Sequence, residues 1–152
     1  MNNIKYQENL CEAMEILAKE KNTIFIGQTI VYGGSPMFSS TKNVPKEKKI
    51  EVPVFEDTQM GLSIGLALEG FIPISIFPRI DFLICATNQL VNHLDKFDVM
   101  SGGQWKSNII IRIGKGSENP LDPGYQHKGN YLDGFDKILK FSNIYNLDNK
   151  NK

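Results

Sequence analysis

Apolar residues in this chain recur at three- and four-residue spacing in some stretches and run together in short blocks between them. In residues 5–21, Leu10, Met14, Leu17 and Ala18, with Ala13 and Ile16 beside them, gather on one side, while Glu8, Glu12, Glu15 and Lys19 fall elsewhere. This spacing predicts an amphipathic helix. Residues 23–27 are apolar without alternation, as in a strand covered on both faces, and 49–53 form a shorter strand candidate. Over 60–70 the small residues Gly61, Gly65 and Ala67 alternate with Leu62, Ile64, Leu66 and Leu68. Such a helix can lie close against a sheet, and Gly70 ends it. Residues 72–77 read as a second buried strand, with Pro73 tolerated near its start. Leu83, Ile84, Leu90, Val91, Leu94 and Phe97 support one long helix over 81–100, stopped by Ser101, Gly102 and Gly103. The β-branched run 108–113 is the most strand-like stretch, and a helix over 131–139 and a weak strand over 144–147 follow. Alternating strands and helices predict an α/β fold: a doubly wound, mostly parallel sheet with helices on both faces.

The connections carry the candidate chemistry. Gly33, Gly34, Ser35 and Pro36 break regular structure, and the polar stretch 41–49 reads as a surface loop or one that orders on a partner. Gly114 and Gly116 and the turn-rich residues 119–124 follow the strand at 108–113. Ligand groups collect at the C-terminal ends of parallel strands, which draws attention to Gln126 and His127. An imidazole in such a loop suits chemistry near neutral pH, whereas His93, inside a helical pattern, reads as a partly buried packing residue. Glu56 stands at the mouth of the central helix. A carboxylate there either complements the helix dipole or performs acid/base work or ligand binding.

Several classes are disfavoured. The Gly-x-Gly at 114–116 lacks the third glycine of a dinucleotide loop, no phosphate-cradling Gly-x-x-x-x-Gly-Lys-Ser/Thr occurs, and Ser63 lies within a helix pattern rather than on a strained turn. The 152 residues, with 17 basic and 17 acidic side chains, suit one domain and favour neither a nucleic-acid nor a membrane surface. No secretory signal or membrane-spanning run is visible, so a cytoplasmic protein is expected. Cys11 and Cys85, without metal-ligand spacing, are expected to be two buried thiols. Residues 1–147 are expected to form the folded domain and 148–152 a frayed tail.

A set of short motifs runs in register along most of the chain: Gly27-Gln28-Thr29, Tyr32-Gly33-Gly34, Pro53-Val54-Phe55-Glu56, Gly61 to Ala67, Gly70 to Ile74, Asp81-Phe82, Asn88 to Asn92, Ser101-Gly102-Gly103-Gln104, Ile111-Arg112 and Gln126-His127. In this order the chain resembles the pyrimidine-binding domain of thiamine diphosphate enzymes. Within these it is most similar to the beta subunit of 2-oxo acid dehydrogenase E1 components. The resemblance implies that the carboxyl of Glu56 bonds a ring nitrogen of the cofactor's aminopyrimidine and favours its imino form. It also implies that Phe82 stacks on the pyrimidine and that His127 lies near the reacting carbon, where it positions substrate or assists acyl transfer to a lipoyl arm.

Gln28 and Lys128 stand where members of the family commonly carry Glu and Ser, which bears on the cofactor-binding and acceptor sides of the implied site. The Gly-Asp-Gly motif of the diphosphate-binding half is absent. The expectation is therefore half of a thiamine diphosphate site, completed by an alpha-type partner chain that holds the magnesium and the diphosphate. The assembly is expected to be a dimer or heterotetramer that serves a lipoyl-bearing acyltransferase. Alternatives are a transketolase-like carboligase half and an interaction module without turnover.

Overall fold

The computed structural model describes residues 3–116, 118 and 122–147. Four strands, β1 (Thr23–Gly27), β2 (Lys49–Glu51), β3 (Ile72–Phe77) and β4 (Ile110–Ile113), form one sheet in the order β2-β1-β3-β4. Each neighbouring pair is parallel, with Phe25 opposite Ile74 and Ile76 opposite Arg112. The α-helices are α1 (Asn3–Lys19), α2 (Pro36–Thr41), α3 (Glu56–Leu68), α4 (Ile80–Leu83), α5 (Phe97–Met100) and α6 (Leu132–Ile138).

Successive residues of a strand face opposite ways, so the sheet divides the apolar side chains into two cores. Phe25, Ile74 and Ile76 pack with Met14 and Ala18 of α1 and Met37 of α2. On the other face Phe77 packs with Met60 and Ile64 of α3, with Ile80, Leu83, Ala86 and Leu90, and with Phe135 of α6. Helices thus cover both faces of a parallel sheet, the doubly wound arrangement that the alternating pattern predicts. A buried polar bridge fixes α3 on β3. The side-chain amide of Gln59 donates to Ser75 Oγ at 3.2 Å and to the Ile76 carbonyl at 3.1 Å, and Ser63 Oγ donates to the Gln59 carbonyl at 2.9 Å.

Local structure departs from the pattern in instructive places. Helix α1 ends at Lys19 rather than at residue 21, where Thr23 Oγ1 donates to the carbonyl of Leu17 in its last turn and to that of Glu20 just beyond it, at 2.8 and 2.9 Å. The Gly-Gly-Ser-Pro stretch ends in a helix start: Ser35 Oγ accepts from Phe38 N at 3.0 Å and Pro36 occupies the first turn of α2. Helix α3 begins at Glu56, ahead of the apolar stripe at 60–70. The expected long helix over 81–100 is a broken series: α4, a 3-10 turn (Ile84–Ala86), a π turn (Gln89–His93), a 3-10 turn (Leu94–Lys96) and α5. Switching between tighter and wider turns keeps Leu83, Ala86 and Leu90 buried in one core as the chain winds over it. No strand forms over 144–147; Ile144 instead packs against the second core. Cys11 is buried but Cys85 is exposed, since the 3-10 turn that carries it buries Ala86 instead. His93 is likewise exposed rather than packed. Residues 148–152 lie outside the described residues. Among the described residues, no helix is long and apolar enough to cross a membrane.

Candidate functional site

The C-terminal ends of β1 and β2 meet the first turn of α3, and each brings a polar side chain. Gln28 follows β1, Glu51 closes β2 and Glu56 opens α3. Gln28 and Glu56 are both buried, and Gln28 Nε2 donates to Glu56 Oε1 at 3.2 Å. No side chain caps the start of α3, so Glu56 sits where unpaired N–H groups concentrate positive potential. In front of it lies an open pocket of about 200 Å³ lined by Val54, Phe55, Glu56, Asp57, Thr58 and Cys85. Val54 and Phe55 are 71% and 63% exposed, so an apolar rim surrounds an otherwise buried carboxylate. That combination suits a small, partly apolar ligand with a polar atom to offer the acid.

A second pair lies at the end of β4. Gly114 continues the pairing beyond the strand: its N–H donates to the Phe77 carbonyl at 3.2 Å and its carbonyl accepts from Ile80 N at 2.8 Å. A Cβ there would stand 2.2 Å from the Pro78 carbonyl oxygen, so only glycine permits this approach. The loop then returns across α4. Arg79 donates to the His127 carbonyl at 2.8 Å, and Gly129 N donates to Asp81 Oδ1 at 3.1 Å. His127 is thereby held edge-on to Phe82, with ring centroids 5.3 Å apart and planes at 84°. Gln126 is exposed. Lys128 turns away to Glu118 and Asp122, at 2.6 and 3.1 Å, and those bonds raise its pKa above the usual lysine value.

The structure therefore joins Gln28 to Glu56 and Phe82 to His127. Among the described residues no hydrogen bond or ring contact links one pair to the other. Their connection is the turn after α4, where Cys85 lines the Glu56 pocket three residues beyond Phe82. Two neighbours escape a reading by sequence. Cys85 looks apolar in the pattern, and its exposure depends on the local 3-10 turn. Glu51 sits in a strand-like run, and nothing along the chain indicates that its carboxylate meets the backbone of residues 29–31. Among the described residues no cluster of three or more His, Cys, Asp and Glu is placed to hold a metal ion.

Fold and site together define a parallel α/β protein with a buried carboxylate at the mouth of an open, apolar-rimmed pocket. No family model matches the chain. It is similar to pyruvate dehydrogenase E1 component subunit beta from several organisms. Identity is 32% over 111 residues with the chloroplastic beta-3 subunit of Oryza sativa subsp. japonica, covering 69% of this chain and 28% of that protein. It is 30% over 134 residues with the subunit of Rickettsia conorii, covering 84% and 40%. With the subunit of Cyanidium caldarium it is 29% over 103 residues, covering 64% and 31%. The chain is thus related to these beta subunits, and it spans roughly a third of the length of the curated relatives it matches.

Proposed function

We propose that residues 1–147 form the pyrimidine-binding half of a thiamine diphosphate-dependent enzyme that decarboxylates a 2-oxo acid. A diphosphate-binding, alpha-type partner chain supplies the other half. The observation that carries this reading is the buried carboxylate of Glu56, bonded by Gln28 and lining an apolar-rimmed pocket. The donor set fits one end of the cofactor: an acid shielded from water can share a proton with a weakly basic ring nitrogen. It does not fit the other end, since no carboxylate cluster suited to magnesium exists among the described residues. This reading assigns the metal and diphosphate to the partner, because the Gly-Asp-Gly motif is absent from this sequence.

When bound, thiamine diphosphate supplies an electron sink for the carbon–carbon bond that breaks. The chain's own contribution is positional and protonic. Glu56 holds the proton shared with the ring nitrogen. Gln28, by bonding Oε1, fixes the plane of that carboxyl. Phe82 offers an apolar surface for the ring system, and His127, braced edge-on against it, orients substrate or transfers a proton on the acceptor side. The exposed Val54 and Phe55 fall within the surface that the partner covers. An acyltransferase bearing a lipoyl arm is the acceptor this reading favours.

The test is reconstitution with an alpha-type chain carrying Gly-Asp-Gly. Thiamine diphosphate is expected to bind, by calorimetry, only to the mixture. Glu56→Gln is expected to lower 2-oxo acid-dependent carbon dioxide release at least 100-fold, about the scale of lost acid–base catalysis, with an unchanged circular dichroism spectrum. Full turnover in that variant would end the assignment.

A further inference from the structure

Gln28 meets Glu56 directly after β1, and the backbone that follows Gln28 is bonded by the side chain of Glu51. Its Oε1 accepts the N–H of Thr29, and its Oε2 accepts those of Ile30 and Val31 at 2.9 Å each. Three successive backbone donors thus converge on one carboxylate, an anion nest filled from within the chain. The carbonyl side of the same turn is also tied: Ser35 Oγ donates to the Thr29 carbonyl at 2.7 Å, and Thr41 Oγ1 to the Ile30 carbonyl at 3.1 Å.

Thr29 adopts φ of +58°, among the described residues the one non-glycine position in the left-handed region. A β-branched residue is strained in that region, so the turn needs an external hold. On its other side Gln28 is preceded by Gly27, whose carbonyl accepts from Val52 N at 3.0 Å. A Cβ on Gly27 would come within 2.5 Å of the Ile76 carbonyl oxygen.

We propose that Glu51 is the positioning residue of the Gln28–Glu56 pair: it holds the 29–31 turn in the conformation that delivers the Gln28 amide to the acid. Its consequence for turnover rests on the function proposed above; the geometric claim does not. Among the described residues Glu51 neither lines the pocket nor shares a hydrogen bond with Glu56. It acts through the backbone.

The experiment uses the full chain without cofactor or partner, so its outcome is independent of whether thiamine diphosphate is the ligand. Side-chain amide signals of Gln28 and the carboxyl carbon signal of Glu56 are compared by NMR at neutral pH in the native chain, Glu51→Gln, Gln28→Ala and the double variant. In Glu51→Gln the Gln28 amide is expected to lose its dispersion and exchange protection while the Gln59 amide is unmoved. The Glu56 carboxyl carbon signal is expected to move as far as in Gln28→Ala, with no further move in the double variant. An unmoved Gln28 signal overturns the proposal. So does a Glu56 shift of equal size with and without Gln28, because that is charge acting through space.

Thr29→Gly in the Glu51→Gln background separates positioning from stability, since glycine accepts the left-handed turn without strain. This pair also serves if Glu51→Gln alone fails to fold. The melting temperature is expected to recover while the Gln28 signal stays lost. Recovery of both would show that Glu51 only offsets strain at Thr29, and the proposal would fall.

Discussion

Single positions in this protein are decided by what stands opposite them across the sheet. Gly27 ends β1 against Ile76, where a methyl group would press on a backbone carbonyl that cannot move aside. Gly27→Ala is therefore expected to destabilise the fold by about 2 kcal/mol, in the range for overpacked cores, read as a lower urea midpoint. The two thiols differ for the same kind of reason. Burial, followed by the bond and charge of Glu15, pushes the Cys11 thiol above its usual pKa, whereas Cys85 opens onto the pocket. Brief alkylation of the native chain, mapped by mass spectrometry, is expected to modify Cys85 at least tenfold faster than Cys11, because the accessible thiolate is the reacting species. That Glu56 opens a helix is legible along the chain. That its partner is Gln28 is not, because 28 residues separate them and only the parallel pairing of β1 with β2 and β3 brings them together.

At the scale of elements, the broken helical series between α4 and α5 shows how tertiary contacts override local periodicity. Asp95, in its second 3-10 turn, is buried, and its carboxylate accepts the N–H groups of Lys140, Phe141 and Ser142 at 2.8 to 3.0 Å. Burial alone would raise this carboxyl, but the backbone bonds outweigh it and hold it below the ordinary aspartate range. A carboxyl whose pKa is lower folded than unfolded stabilises the fold fully above its unfolded value, about 4. That contribution is lost as pH falls from there through the folded value. Asp95→Asn is expected to cost about 2 kcal/mol at neutral pH, as for hydrogen bonds to a charged group. Denaturant melts at stepped pH are expected to show a shallower acid limb in that variant. The expected strand at 144–147 fails for a related reason: the chain before it is committed to Asp95 rather than to a sheet edge.

Across the whole molecule, the sheet separates two cores that share β3, so loss in either is felt by the parallel pairing that builds the site. Phe77→Ala, fully buried against α3 and α6, is expected to cost about 3–5 kcal/mol and, by chemical denaturation, to leave little stable protein. Arg112 offers the opposite case. Its guanidinium is desolvated, which lowers its pKa from the usual arginine value, and Met37 Sδ at 3.4 Å is its hydrogen-bond partner among the described residues. A half-buried cation with no carboxylate partner among the described residues has desolvation that nothing offsets, so Arg112→Met is expected to stabilise the fold by about 1 kcal/mol, read as a higher urea midpoint.

The parallel α/β class, the first helix and the strands at 23–27 and 72–77 follow from the sequence alone, because local hydrophobic periodicity directly encodes which faces must be buried. The resemblance in register also names Gln28, Glu56, Phe82 and His127 before any coordinates. Tertiary structure alone decides that these side chains meet in two pairs, that Cys85 faces the pocket, and that Glu51 grips the backbone beside Gln28. Each is a contact between segments far apart in the chain, set by strand register and turn geometry, and no local pattern of residue types carries that information.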